Sequence, residues 1–250
     1  MLVGRRASAQ VAVDELEVHL SLRPGATRLA GTFHAANPTD GPVNATISVA
    51  DWDRSDRGEN RYYPLGTLPG SCGPHVKVFP SVLRLEPRSV QAIQVIVDSA
   101  DAVPRECHAI LFVESAPMRG PSASGLAYTV RYGVKVYAER DVPPSAEVVA
   151  MSMERRVASA APNDSAWVLD LAFHNSGGRQ TETHGSVEVR RLDNSVVKSV
   201  DVAEFPTLPG ATRKLSVRMP SLPSGRYVVL ALLDYGGGEI AAGQASLEVP

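Results

Sequence analysis

The stretch DWDRSDRGEN places Asp51, Asp53, Asp56 and Glu59 close together, and these are the first residues in the chain that could do chemistry. Carboxylates hold calcium when they fall at loop positions 1, 3, 5 and 12 with a glycine at 6. Here Arg54 and Arg57 interleave and Gly58 comes late, so the stretch reads as a solvated hairpin tip and no metal is expected. The histidines, His19, His34, His75, His108, His174 and His184, are scattered without H-x-x-x-H spacing. His34 and His174 fall at strand ends beside asparagine-containing turns, and all six are expected to be structural. No G-x-S-x-G elbow is present. Gly236, Gly238 and Ala241 match G-x-G-x-x-A formally, but they open a strand, so no helix N-terminus is there for a pyrophosphate. Neither an enzyme nor a cofactor is expected.

Cys72 and Cys107 are the only cysteines. Two thiols without C-x-x-C spacing do not make a zinc site, and neither sits in a nucleophile motif. Two readings remain, a single disulfide in an oxidising compartment or two separate thiols. The disulfide is expected, because both fall beside strand ends in the same half of the chain.

The elements that would position these residues are strands. Apolar content is 44% and charged content 21%, with a formal charge of −2, ordinary for a globular protein and without the basic stripe that nucleic acid requires. No apolar run approaches the ~20 residues of a membrane helix. Short alternating runs recur between turn residues: Val11–Leu22, Arg28–Ala36, Asn44–Asp51, Val76–Phe79, Ser89–Val97, His108–Ser115 and Gly125–Ala138. RPGAT, NPTDGP and LEPRS punctuate them with turn chemistry. RDVPPSAE reads as a stiff linker over 141–147. A second series follows: Glu147–Glu154, Trp167–His174, Gly185–Leu192, Ser195–Val202, Arg213–Met219, Arg226–Asp234 and Glu239–Val249, with tight turns at LDNS and DYGGGE. The expected fold is all-β, two tandem immunoglobulin-like β-sandwich domains over 11–140 and 148–250. Ahead of them, Ala7-Ser8-Ala9 fits an A-x-A cleavage site without a preceding apolar segment. Residues 1–10 are therefore read either as the remnant of a signal peptide or as a chance match.

One run is too long. Gly125–Ala138 alternates apolar residues from Leu126 through Tyr128, Val130, Tyr132 and Val134 to Val136. A strand of ~14 residues spans roughly 45 Å; alternation allows Val130 to Val136 to pack into their own sandwich, whereas Leu126 and Tyr128 at the far end are harder to absorb there. LRLEPRSVQAIQVIV, PRECHAILFVESAP and YTVRYGVKVYAE together resemble strands of the periplasmic pilus-assembly chaperones, the PapD-like family with two immunoglobulin-like domains. The resemblance covers most of 11–140. It implies that the long strand is an edge whose apolar side chains are lent to an incomplete partner, with Leu126, Tyr128 and Val130 at the donated positions. It also implies that Lys135 stands where the family binds a partner's terminal carboxylate. The family adds an arginine from the first strand, whereas VAVDELEVHLSL carries Asp14, Glu15 and Glu17 and no arginine; Arg131 or Arg23 could substitute.

The missing arginine moves weight toward a second role for the same scaffold. The expected function is a non-enzymatic, periplasmic protein-binding protein, a membrane-extrinsic structural subunit of a larger envelope or membrane complex. The alternative is a periplasmic chaperone capping pilin-like subunits by strand donation. Partners are proteins in either case, and the Asp51–Tyr63 loop with Tyr62 and Tyr63 is expected to add interface.

Overall fold

The computed structural model describes residues 11–21, 28–98, 106–119, 127–139, 142–158 and 161–250. Met1–Gln10, Leu22, Arg23, Gly125 and Leu126 lie outside them. The chain divides into two compact units, Met1–Trp52 with Tyr62–Asp141, and Asp53–Arg61 with Val142–Pro250.

The first unit is built from β1 (Ala12–Val13), β2 (Glu17–Ser21), β3 (Arg28–Ala36), β4 (Val43–Arg54), β5 (Asn60–Tyr63), β6 (Val76–Phe79), β7 (Val82–Leu85), β8 (Val90–Asp98), β9 (Cys107–Ser115), β10 (Met118–Arg119), β11 (Ala127–Tyr128) and β12 (Arg131–Glu139), except that the tip of the β4–β5 hairpin, Asp53–Arg61, groups with the second. One sheet has the order β1-β3-β8-β6; the facing sheet runs β2-β12-β9-β4-β5, with β7 also on β4. Alternation aims one row of each sheet inward. Phe33, Ile93, Val95, Val97, Ile47, Leu111, Val113, Val134 and Val136 thus fall in one core cluster. The second unit holds β13 (Ala146–Ala158), β14 (Ala161–Asn175), β15 (Thr181–Arg190), β16 (Val196–Thr207), β17 (Thr212–Arg218), β18 (Gly225–Asp234) and β19 (Ile240–Val249). Its sheets run β13-β14-β17 and β16-β15-β18-β19 around a separate core that includes Leu169, Phe173, Val187, Val229 and Leu233. Both halves are all-β sandwiches, as the alternation implies.

Several boundaries differ from the sequence expectation. Val11–Leu22 is not one strand: β1 pairs antiparallel with β3, whereas β2 runs parallel to β12 in the facing sheet. The switch is pinned by Asp14, whose carboxylate accepts the His34 backbone N–H at 2.7 Å and sits 2.7 Å from the His34 ring Nδ1. LRLEPRS holds a strand as well as a turn, because β7 pairs with β4 at Val82–Leu85. The Asp51–Asn60 stretch is the end of a β4–β5 hairpin, closed by the bond from Ser55 N to Glu59 O. The two tight turns of the second half lie where expected, with Asn194 at φ 69° and Gly236 at φ 76°.

A device missed in the sequence recurs in both units. Asn37 is buried at the end of β3 and donates to the carbonyls of Gly41, Leu85 and Glu86 while accepting from Thr39. Asn175 is buried at the end of β14 and donates to the carbonyls of Arg179 and Thr207 while accepting from Gly177 N–H. The available signal was Phe-His followed by Asn, at Phe33–Asn37 and Phe173–Asn175.

Candidate partner-binding edge

The expected long strand is interrupted. β9 and β12 form a continuous antiparallel ladder from Arg131↔Glu114 to Ala138↔Cys107. Beyond it, β11 pairs with β10 through Tyr128↔Met118. The break at Thr129–Val130 has a local cause. Val130 N–H goes to the Ser115 side chain at 3.0 Å, Ala116 N–H turns away to Asn44 O at 2.8 Å, and Pro117 has no N–H to give.

On its other side β12 is covered only in part. β2 pairs with it from Lys135↔Glu17 to Glu139↔Ser21, and the last bond runs from Lys135 N–H to Leu16 O at 2.8 Å. Among the described residues no strand lies beside Arg131–Val134 on that side. Backbone groups alternate along a strand, so the N–H and C=O of Arg131 and Gly133 face the same side as the Lys135 N–H that meets Leu16 O, where among the described residues no strand pairs with them. The apolar row grades along the same edge. Val134 and Val136 are buried in the sandwich core, Val130 and Tyr132 are half-buried, and Tyr128 is 36% exposed. The inner end of the expected donor stripe therefore serves the chain's own core, and the outer end remains accessible.

The outward row carries the charges. The side chain of Lys135 is 16% exposed; its Nζ lies 2.6 Å from Glu17 Oε1 and 5.2 Å above the centre of the Trp52 ring. Arg131 pairs with Glu114 and lies 5.0 Å from the centroid of Phe112. Gly133 stands between them, where an added Cβ would come 2.9 Å from Ile110 Cδ1. A glycine there lets Ile110 lean across the strand. Next to Lys135, Glu17 Oε2 is 3.7 Å from His19 Nε2, and Glu139 Oε1 is 2.5 Å from His19 Nδ1. The bond to Glu139 is the main cause holding the His19 imidazole above its ordinary pKa. His19 also stacks on the buried Tyr137, ring centroids 4.9 Å apart.

Tyr62 is half-exposed and meets Phe112 edge-on, centroids 5.3 Å apart, which brings it to the ring that carries Arg131. Tyr63 is half-buried at the end of β5. Asp51 is fully buried and accepts hydrogen bonds from Thr67 N–H, Leu68 N–H and the Ser71 hydroxyl, so it anchors the loop after β5. Asp53 is taken by a two-bonded pair with Arg61. These contacts explain the Asp51–Glu59 carboxylates as parts of a hairpin and loop, and among the described residues no cluster of three or more His, Cys, Asp or Glu is placed to hold a metal ion.

Cys72 and Cys107 are both buried free thiols, so the bridge expected from the sequence is not formed here. They are nevertheless neighbours. A hydrogen bond between them, with burial, pushes the Cys72 thiol far above its usual pKa. The adjoining Ser71 hydroxyl also donates to His108 O at 3.3 Å.

No family model matches the chain, and no curated protein matches it. Solved structures do. The class 5 fimbriae chaperone CfaA superposes with a TM-score of 0.53 at 12% identity, covering 96% of this chain and 99% of that one. A structure of a chaperone–tip adhesin complex in CFA/I fimbriae biogenesis gives 0.53 at 10% identity, covering 97% of this chain and all of the other. The CsuC–CsuE chaperone–tip adhesion subunit pre-assembly complex from archaic chaperone-usher Csu pili of Acinetobacter baumannii gives 0.50 at 11% identity, covering 94% and 98%. At such identities the shared property is the architecture, and it extends over nearly the whole of each chain. The chain thus has the PapD-like fold of the fimbrial chaperones, two immunoglobulin-like sandwiches in tandem.

Proposed function

We propose that this protein is a periplasmic chaperone that holds incomplete pilus-type subunits by lending them the edge of β12. The observation that carries the reading is that, among the described residues, no strand covers one side of Arg131–Val134, which runs on from the partly exposed apolar row Tyr128, Val130 and Tyr132. An extended partner segment placed there would pair through main-chain hydrogen bonds while the apolar row fills a gap in the partner. The solved chaperone–subunit complexes of this fold support it. The action is binding alone, without covalent chemistry. A membrane-extrinsic scaffold subunit, the reading favoured by the missing arginine, has no comparable feature behind it. In place of an arginine, β2 sets the Glu17 carboxylate 2.6 Å from the Lys135 ammonium.

Tyr132→Asp tests the proposal, because Tyr132 sits at the rim of the core and not within it. The variant is expected to stay folded by circular dichroism and to lose at least tenfold in capture of a co-produced pilus subunit. Hydrogen exchange in the parent complex should slow at the Arg131 and Gly133 amides. Undiminished capture, with those amides still exchanging freely, defeats the reading.

A further inference from the structure

Both cations beside the open edge are already matched by this chain's own carboxylates. Lys135 is held by Glu17 on the neighbouring strand, and Arg131 by Glu114 on β9. Each also lies over an aromatic ring, Trp52 and Phe112 respectively. Gly133 adds no side chain between them. The outward row of the edge therefore offers balanced charge, each positive group already paired with a carboxylate of this chain.

We infer that the strand this edge accepts is recognised without a terminal carboxylate: it is an extended partner segment, apolar at alternate positions, whose chain-end charge adds nothing. The inference rests on the strand-lending function above. An anion arriving at Lys135 must share a single ammonium with Glu17, and two carboxylates at one cation repel each other. Expelling Glu17 would break its 2.6 Å contact with Lys135 and leave it only the His19 ring, 3.7 Å away. At the other end Glu114 pairs with the Arg131 guanidinium through its Nε and offsets its charge. What remains to attract a partner is main-chain pairing and apolar contact, neither of which salt screens. Glu17 is thus a specificity-determining residue: it stands beside Lys135 and removes the anion preference that a lone ammonium would confer.

The test uses an acetylated peptide of about a dozen residues, alternating valine and threonine, long enough to run along Tyr128–Val134. It is made with a C-terminal carboxylate or a C-terminal amide, and binding to the full chain is followed by fluorescence anisotropy. The two forms should bind within threefold of each other, change less than threefold between low and high salt, and both be lost in Tyr132→Asp. Glu17→Gln keeps the shape of the side chain and frees the ammonium. It should bind the carboxylate form at least fivefold better than the amide, a preference that the double variant with Lys135→Met abolishes. More than a threefold carboxylate preference in the parent overturns the inference and leaves strand lending standing. So does the absence of any gained preference in Glu17→Gln. Failure of both forms to bind the parent, together with intact subunit capture by Tyr132→Asp, defeats strand lending itself and the inference with it.

Discussion

Asp51 shows how much a single side chain settles. In sequence it heads a run of acids that resembles a cation loop; in the fold it is fully buried and receives two backbone N–H groups and one hydroxyl. Removing a buried acceptor strands its donors, so Asp51→Ala is expected to cost about 3 kcal/mol in urea unfolding. A loss below about 1 kcal/mol would show that the loop from Thr67 to Ser71 is held by something else. The cysteines make a second residue-scale case. Both thiols lie in one core cluster, so oxidation could join them without a partner from outside it. Treating the folded chain with glutathione disulfide should remove both thiols and raise stability by roughly 3–4 kcal/mol, since the bridge closes a loop of about 35 residues. Two thiols that still react with a maleimide after unfolding of the treated sample would rule the bridge out. Neither the role of Asp51 nor the Lys135–Glu17 pair was legible in the sequence, because each depends on a partner from another strand. The anomaly of Glu17 was visible, and its meaning required the parallel pairing of β2 with β12.

Among the elements, alternation located most strands, because a sandwich strand buries every second residue and exposes the rest. It failed where pairing changes partner without changing period. Val11–Leu22 keeps its alternation across Asp14, yet its two ends belong to different sheets. The long final strand keeps alternating past Thr129, yet Pro117 and the Ser115 side chain break the ladder opposite. Short strands such as β7 hid inside a turn motif. The asparagine corners belong to this scale too. Each ties the end of one strand to the loop that follows and to a strand from elsewhere in its own sandwich. Asn175→Ala leaves the carbonyls of Arg179 and Thr207 without that donor and is expected to destabilise the second unit by about 2–3 kcal/mol.

The whole molecule contains two separate cores, each enclosed by its own pair of sheets. Cooperativity follows the core, so heating the full chain is expected to give two calorimetric transitions. Asn175→Ala should lower one of them and leave the other within about 1 °C, and Asn37→Ala should do the reverse. A single transition moved equally by both variants would mean that the sandwiches melt together. The two-sandwich plan was readable from strand rhythm and the Pro-rich stretch near residue 143. The extent of the open edge was not, since it is set by how far a strand from the start of the chain reaches along one from the end of its sandwich.

Because the leading segment contributes to both sheets, its loss would be felt twice. A protease cutting ahead of Arg28 would strip the margin strand from one sheet and the cover from β12 in the other. β12 would then lie at the margin of its sheet with its backbone unpaired on that side, a template for pairing with another copy of the chain. If β12 lends its edge as proposed, the same few residues that bound it would also limit pairing between copies of the chain.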